Sequence, residues 1–507
     1  MTLLLWLAGI AAAFAAASLG ALYSYGRFAR QARGAPSYLL PKPPDGTGID
    51  RRVVPLLADR PGQSGLAAVF DNHAAFALRL ASLRAAGRSL DVVSYIWRDD
   101  MTGRLLAREL IAAADRGVRV RLLLDDVNVQ GFDPKFRALN GHPGIEVRLF
   151  NPLRNRRSAI GRGLEMLLAL VRFNRRMHAK MWIADGRIFV SGGRNIGNTY
   201  FDAERPARRN SRDADLLAVG PLADAAERLF DAYWNSAPSL PIAAFWRDYE
   251  AGLDRFRARL EANAARRAAR AFLAAAEGAD MLPATLHWTD QARLVADPPE
   301  KALARGREAW MPSVLVPALA GAERRVRLMT PYLVPGREGM EQMLALARRG
   351  VAVEVVTNAL SATNHILVHG AYRRYRRPLL GAGVRLFEFA PPDRDGRRGE
   401  MLHGKGFSVD GRTGFVGSFN FDLRSAFLNI ELGVLFEHPG LVAEFDAEFD
   451  RCTAPEAAFA LRLDGRRLVW ATGPRPGPAE LTHEPDAHAL RRGVSWVIGH
   501  LPIHSWL

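Results

Sequence analysis

One cysteine, Cys452, stands in 507 residues. An intrachain disulfide and a cysteine-built metal cluster are thereby excluded, and a lone cysteine reads as a small buried hydrophobe. Acidic charge is also scarce: 53 Asp and Glu face 69 Lys and Arg, a formal net charge of +16. That excess points to an anionic partner, either phospholipid head groups or nucleic acid. From Thr2 to Tyr25 there is no ionisable side chain except two tyrosines, and such a run is long enough to span a bilayer as a helix. No basic residue precedes it, so the basic region that opens a cleaved export signal is missing and a membrane anchor is expected over residues 1–33. Arg27, Arg30 and Arg33 follow, and this bias predicts a cytoplasmic location for the chain downstream, with the opposite face as the alternative. No low-complexity segment occurs.

Hydrophobic content of 49 % and charged content of 24 % are ordinary for a globular protein. The length allows a large core and two or more compact units. Residues 34–64, rich in Pro, Gly and polar groups, read as a linker. Strand-like and helix-like segments then alternate. Leu90–Trp97 is apolar and β-branched, Gly103–Arg116 has helical spacing that Gly117 ends, and Val118–Asp125 is a second strand. The order recurs in Val326–Val334, Gly336–Arg349, Gly350 and Val351–Thr357. Strand–helix–strand order predicts parallel pairing with right-handed crossovers. The expected fold is therefore α/β, built from two α/β/α sandwich halves related by a pseudo-twofold axis and preceded by a membrane helix. The expected boundaries are 65–240 for the first half, 241–310 for a connecting helical region, 311–455 for the second half and 456–507 for a tail. Asp248–Leu273 is predicted to be one charged connecting helix.

Within that duplication sits a repeated motif. His178-Ala-Lys180 leads to Asp185 and then Gly192-Gly193-Arg194-Asn195. His403-Gly-Lys405 leads to Asp410 and then Gly417-Ser418-Phe419-Asn420. Asp185-Gly186 and Asp410-Gly411 are two-residue hairpin signals between apolar runs. Pairing about those turns sets His178 opposite Gly193, Lys180 opposite Ser191 and His403 opposite Ser418. Strand alternation then puts His, Lys and Asn on one face and the two aspartates on the other, where they fix the turn.

Two such half-sites brought face to face suit a phosphodiester. Lys180, Lys405, Asn195 and Asn420 would neutralise and orient its non-bridging oxygens, with Ser418 and Gly193 beside them. One neutral imidazole would attack phosphorus, and the other would protonate the leaving alcohol and then activate the acceptor. Asp215 and Glu431, on strand-like segments after each motif, are candidates to orient the histidines. The chemistry requires no cofactor and no metal, and clustered carboxylates of a magnesium centre are missing from the motifs.

These residues resemble the phospholipase D superfamily, whose signature is this H-x-K-x4-D-x6-G-S-x-N pattern. The second copy matches in full, and the first has Gly193 where Ser is usual. The stretches 95–106, 192–202, 417–433 and the "HEPDA" at 483–487 are similar to the bacterial cardiolipin synthase branch, of the C type. The resemblance covers residues from about 60 to the C-terminus. It implies phosphatidyl transfer through a phosphohistidine, with His178, Lys180, Asp185, His403, Lys405 and Asp410 as the catalytic set and His178 as nucleophile. It also implies phosphatidylglycerol as substrate, with phosphatidylethanolamine a further donor, at the bacterial inner membrane. Symmetry of the two copies leaves the choice of nucleophile open.

Apolar–basic surfaces fit a lipid substrate. Arg154–Arg176 surrounds "LEMLLALVRF" with arginines and is predicted to be an interfacial helix at the mouth of the site. Arg373–Arg377 is a second basic run, and Gly493–Leu507 carries Trp496 and Trp506. A phospholipase or nuclease on the same fold competes with the transferase. No nucleic-acid partner is expected, because the membrane segment and the want of an aromatic-interleaved basic strip disfavour it. A lipid-binding protein without catalysis would need no second histidine.

Overall fold

The computed structural model describes residues 1–129, 131–156, 158–204, 210–246, 252–391, 399–472 and 480–501. Its centre is two mixed sheets, each of nine strands among the described residues. One block of six strands occurs in both. In the first sheet it runs Asp215–Val219, Ile188–Gly192, Met181–Ala184, Ser89–Ser94, Arg119–Asp125, Ile145–Phe150. In the second it runs Leu432–Glu437, Thr413–Gly417, Gly406–Val409, Arg325–Met329, Ala352–Asn358, Arg385–Phe389. The last three strands of each block are parallel, as the crossover helices Met101–Asp115 and Gly336–Arg348 require. Those helices stop at Gly117 and Gly350, whose φ angles of 90° and 82° favour a residue without Cβ.

The sheets are covered on their outer faces by separate apolar clusters. They share a third cluster, which joins Met177, Ala179 and Phe189 of the first half to Leu402, Ile430 and Leu432 of the second. Two short parallel pairings stitch the halves within this shared core. Met401–Leu402 pairs with Ser211–Arg212, and Met177 bridges Ile430. The strand just before each motif histidine therefore lies against the other half.

Several expectations need correction. Residues 34–47 are no free linker but a strap on the first half. The Ser37 and Leu39 amides donate to Asn235 and Asp231, Lys42 pairs with Glu227 at 2.7 Å, and a helix Gly48–Ala58 follows. The proposed single connecting helix is two, Leu253–Ala264 and Arg267–Ala276, and the first buries Phe256 and Leu260; residues 248–251 lie outside the described set. The same region supplies a strand to each sheet, His287–Thr289 and Ala292–Ala296. The expected tail is structural too, since Ala458–Asp464 and Arg467–Thr472 extend the second sheet. Val326–Val334 is split into Arg325–Met329 and Leu333–Val334.

Thr2–Gln31 is one exposed helix, apolar enough over Leu4–Gln31 to cross a membrane. Its base packs beside Ala159–Leu168, and the Arg172 guanidinium lies 3.6 Å from the Tyr25 ring centroid. Within Ala159–Phe173, Ile160 (87 % exposed), Leu164, Leu167, Leu170 and Val171 (74 %) face outward. The second basic run is not a free cationic face. Arg376 is buried between Glu484 of the "HEPDA" stretch (2.6 Å) and Glu388 (2.7 Å), and Arg374 donates to the Gly499 carbonyl. Trp496 is exposed on helix Ala489–His500, and Trp506 lies outside the described residues. Cys452 is buried.

Candidate active site

Each hairpin turns at Asp-Gly as expected. Asp185 and Gly186 have φ of 52° and 67°, Asp410 and Gly411 of 55° and 72°. The strands nevertheless pair one residue out of the expected register, with Ala184 opposite Ile188 and Val409 opposite Thr413. The turn hydrogen bonds close from Arg187 N–H to the Ala184 carbonyl and from Arg412 N–H to the Val409 carbonyl. One residue beyond each turn is thus absorbed before the ladder starts. Asp185 accepts from the Gly87, Arg88 and Ser89 amides, and Asp410 from those of Glu323, Arg324 and Arg325. Both carboxylates clamp the loop that enters the neighbouring strand, at the far end of the hairpin from the histidines.

The histidines are placed by cross-half backbone bonds. The His178 and Ala179 amides both donate to the Ile430 carbonyl, and the His403 and Gly404 amides both donate to the Arg212 carbonyl. One residue beyond each carbonyl stands the carboxylate that holds the imidazole. His178 Nδ1 lies 2.7 Å from Glu431 Oε2, and His403 Nδ1 lies 2.6 Å from Asp213 Oδ2. Each histidine is oriented by a residue of the opposite half. With Nδ1–H donating to a carboxylate, the Nε2 lone pair is left for chemistry. Each histidine also feels the lysine of the other half, so the two motifs form one site.

The expectation for Asp215 is corrected by this geometry. Its carboxylate lies 2.8 Å from Arg79 and 3.2 Å from Arg194 and does not orient a histidine. Asp213 occupies that place, because residues 211–212 cross to pair with the second half and 215 already belongs to the first sheet. Backbone equivalence confirms the match: Gly193 N–H donates to the Ala214 carbonyl as Ser418 N–H donates to that of Leu432.

Ser418 and Gly193 are likewise not open to a phosphate. The Ser418 hydroxyl donates to Glu431 at 2.5 Å and accepts from the Leu432 amide. At Gly193 a Cβ would stand 2.0 Å from Asp213 Oδ1. The shorter carboxylate fills the volume that a serine side chain needs, which accounts for the glycine. Glu431 accepts further from Ser425 (2.8 Å) and Asn429 (3.2 Å), while its backbone amide donates to Asp297, itself paired with Lys301.

Lys180 Nζ donates to the His178 carbonyl at 2.5 Å, and Lys405 donates to that of His403. Asn195 and Asn420 are buried, and each leaves its amide oxygen without a hydrogen-bond partner. An amide turned about would aim an NH2 group there instead. Tyr95 packs edge-on against His178 at 4.7 Å between centroids, and Tyr200 against His403 at 5.3 Å. Behind the histidines, Asp125 accepts from the Met177 amide, and Asn358 holds both the amide and the carbonyl of Leu402. These two end equivalent strands. Their common signal was their equal distance past Gly117 and Gly350. Asp213, Ser425, Asn429 and the tyrosines carried no such mark.

Burial dominates the titration of the site. It lowers His178 and His403 to about 4 against the pull of their carboxylates. It lowers Lys180 to about 7 and Lys405 to about 8. Against its own burial, Glu431 is held down at about 2 by His178 and the lysine, and Asp213 lies far below its usual range for the matching reasons. Near neutral pH the site is therefore a pair of neutral imidazoles on ionised carboxylates. An entering phosphodiester anion favours the protonated form of the lysines and of one imidazole.

The chain matches the family described as "Cardiolipin synthase, PLD-like domain" over residues 80–234 and 315–453. It is 38 % identical over 493 residues to cardiolipin synthase C of Escherichia coli (strain K12), covering 90 % of this chain and 98 % of that protein. It is 25 % identical to cardiolipin synthase A of Salmonella arizonae, covering 77 % and 69 % respectively. Among solved structures, phosphatidylserine synthase of Haemophilus influenzae aligns with a TM-score of 0.57 at 15 % identity, over 85 % of this chain and 92 % of that one, a likeness of fold.

Proposed function

Because the chain belongs to the phospholipase D-like cardiolipin synthase family, we propose that it is a phosphatidyltransferase making cardiolipin from phosphatidylglycerol and a second phospholipid. The observation that carries this reading is the exchange of carboxylates between halves, Glu431 to His178 and Asp213 to His403. In this reading, with both Nδ1 atoms so engaged, two imidazole Nε2 atoms and two lysines act on one phosphorus.

His178 is the nucleophile. Its Nε2 attacks the donor phosphorus, an N–P bond forms, the P–O bond to the head-group alcohol breaks, and His403 gives that oxygen its proton. The hydroxyl of phosphatidylglycerol then passes its proton to His403 and attacks phosphorus, and the N–P electrons return to His178. Lys180, Lys405, Asn195 and Asn420 bind the non-bridging oxygens and stabilise the charge that builds on them. Asp185 and Asp410 act from the hairpin tips, and Glu431 and Asp213 are positioning residues. Phosphatidylglycerol or phosphatidylethanolamine serves as donor.

The protein is membrane-associated. The helix Leu4–Gln31 supports an inner-membrane anchor, the following arginines support a cytoplasmic catalytic part, and the apolar face of Ala159–Phe173 beside the anchor supports contact with the bilayer surface.

The test is incubation of the purified protein in detergent–lipid micelles with labelled phosphatidylglycerol, with and without phosphatidylethanolamine. Cardiolipin is the expected product, and phosphatidic acid alone would assign hydrolysis instead. His178→Ala should abolish the labelled protein–lipid adduct; an undiminished adduct would move the nucleophile to His403.

A further inference from the structure

On the His403 side of the site, between the halves, lies a cavity of about 1110 Å³. Its wall is drawn from residues 98–104, 198–204, 263–269, 361–364 and 486–491, so both halves, the connecting helices and the C-terminal segment contribute. Tyr200 lies between this space and the chemistry. It lines the cavity, packs edge-on against the His403 ring at 5.3 Å and hydrogen-bonds the Asn195 side chain. Through Tyr200 this wall adjoins the second histidine, and neither motif histidine itself lines it among the described residues.

The cavity wall mixes polar with apolar groups, and two of its cations lack an acidic partner among the described residues. Arg98 and Arg266 are exposed and have no carboxylate partner among the described residues. The acids closest to Arg98 in sequence are already engaged. Asp99 is paired with Arg104 (2.7 Å), Arg259 (3.1 Å) and Lys135, and Asp100 accepts from the Gly103 and Asn198 amides. Glu204 and Asp486 also line the wall. One boundary is amphipathic. Helix Ala489–His500 brings Arg491 to the cavity, while Leu490 (81 % exposed) and Trp496 (55 %) are open on its outside. A ligand with a charged head and apolar chains fits that boundary, and a small soluble anion makes no use of its apolar side.

We propose that this cavity receives the polar head of the second, acceptor phospholipid, with Arg98 and Arg266 binding its unreacting phosphodiester while its free hydroxyl meets His403. The inference rests on the transferase reading and adds to it a separate acceptor site. An acceptor lipid carries a phosphate that takes no part in bond exchange, and that charge needs its own counter-charge away from Lys180 and Lys405. In the second step the acceptor oxygen forms its bond to phosphorus, its proton goes to His403, and the N–P pair returns to His178. The acceptor must therefore approach from the His403 side, where the cavity lies. Water would need neither the volume nor the arginines.

Arg98→Gln, Arg266→Gln and the double variant of the full chain, assayed in mixed micelles with labelled phosphatidylglycerol, test this. Cardiolipin, phosphatidic acid and the protein-bound lipid adduct are read from each reaction. The ratio of cardiolipin to phosphatidic acid should fall about tenfold for each single variant, with the adduct still formed, since a charged contact to phosphate is lost from the acceptor alone. Arg98→Lys should recover part of the ratio. Adduct and cardiolipin falling together would place the arginines on the donor, and an unaltered ratio in the double variant would empty the site of meaning; either overturns the proposal. Inorganic phosphate separates a free anion from a lipid-borne one. Phosphate that binds at Arg98, as its loss in Arg98→Gln would show, without competing with the acceptor lipid would assign the cavity to a free anion and overturn the proposal as well. Unaltered protein that yields phosphatidic acid and adduct but no cardiolipin defeats the transferase reading itself.

Discussion

Asp213 and Asp215 stand two residues apart and both are buried, yet one holds a histidine and the other two arginines. Substitution should separate them. Asp213→Asn keeps the shape but no longer fixes the His403 tautomer, so turnover should fall on the order of 10³–10⁴ with little change in unfolding. Asp215→Asn leaves Arg79 and Arg194 buried with a weakened counter-charge and should cost about 3 kcal/mol of stability. Steady-state kinetics and denaturant unfolding of the two variants in detergent measure the split. The titration of the site makes a second prediction at this scale. Above about 7 and about 8, Lys180 and Lys405 lose their protons in the free protein, and below about 4 the nucleophile His178 gains one. Either change removes a form the first step needs. Plotted against pH from 4 to 9, kcat/KM should therefore be bell-shaped, declining on the alkaline side from about neutrality. A profile flat to pH 9 would refute the role given to the lysines.

At the scale of elements, the hairpins show what local sequence carries. Asp-Gly located both turns, since left-handed φ at two successive positions favours that pair. The register escaped because the residue after each turn is absorbed without a composition signal. Asp185 and Asp410 each take three backbone amides, Asp185 fully buried and Asp410 partly exposed. Alanine at 185 should therefore destabilise by about 1–3 kcal/mol, and alanine at 410 by an amount toward the low end, as measured by chemical unfolding. The strap at 34–47 and the strands after 455 were read as linker and tail for one reason. Their anchors are partners distant in sequence, such as Glu227 for Lys42 and Glu388 for Trp470, and no local pattern announces them.

The molecule as a whole is a duplicated fold closed on itself, tied at one end to a helix apolar enough to cross a membrane. The outward apolar row of Ala159–Phe173 next to the base of that helix makes a prediction at this scale. Replacing Ile160, Leu164 and Val171 by serine should lower activity on phospholipid vesicles at least about threefold more than activity in micelles, where no bilayer surface has to be engaged. Equal loss in both assays would make the row a packing surface only.

The duplication, the paired His-x-Lys motifs, the parallel core strands and the apolar N-terminal helix were all legible in the chain, because periodicity, turn chemistry and self-similarity are local or repeat at a constant offset. Which carboxylate serves which histidine was not. Glu431 was visible as a candidate, but its histidine lies in the other half, and Asp213 was hidden behind a neighbour of the same strand parity. A face-to-face packing of two halves exchanges partners across its axis, and that exchange exists only once the chain has closed.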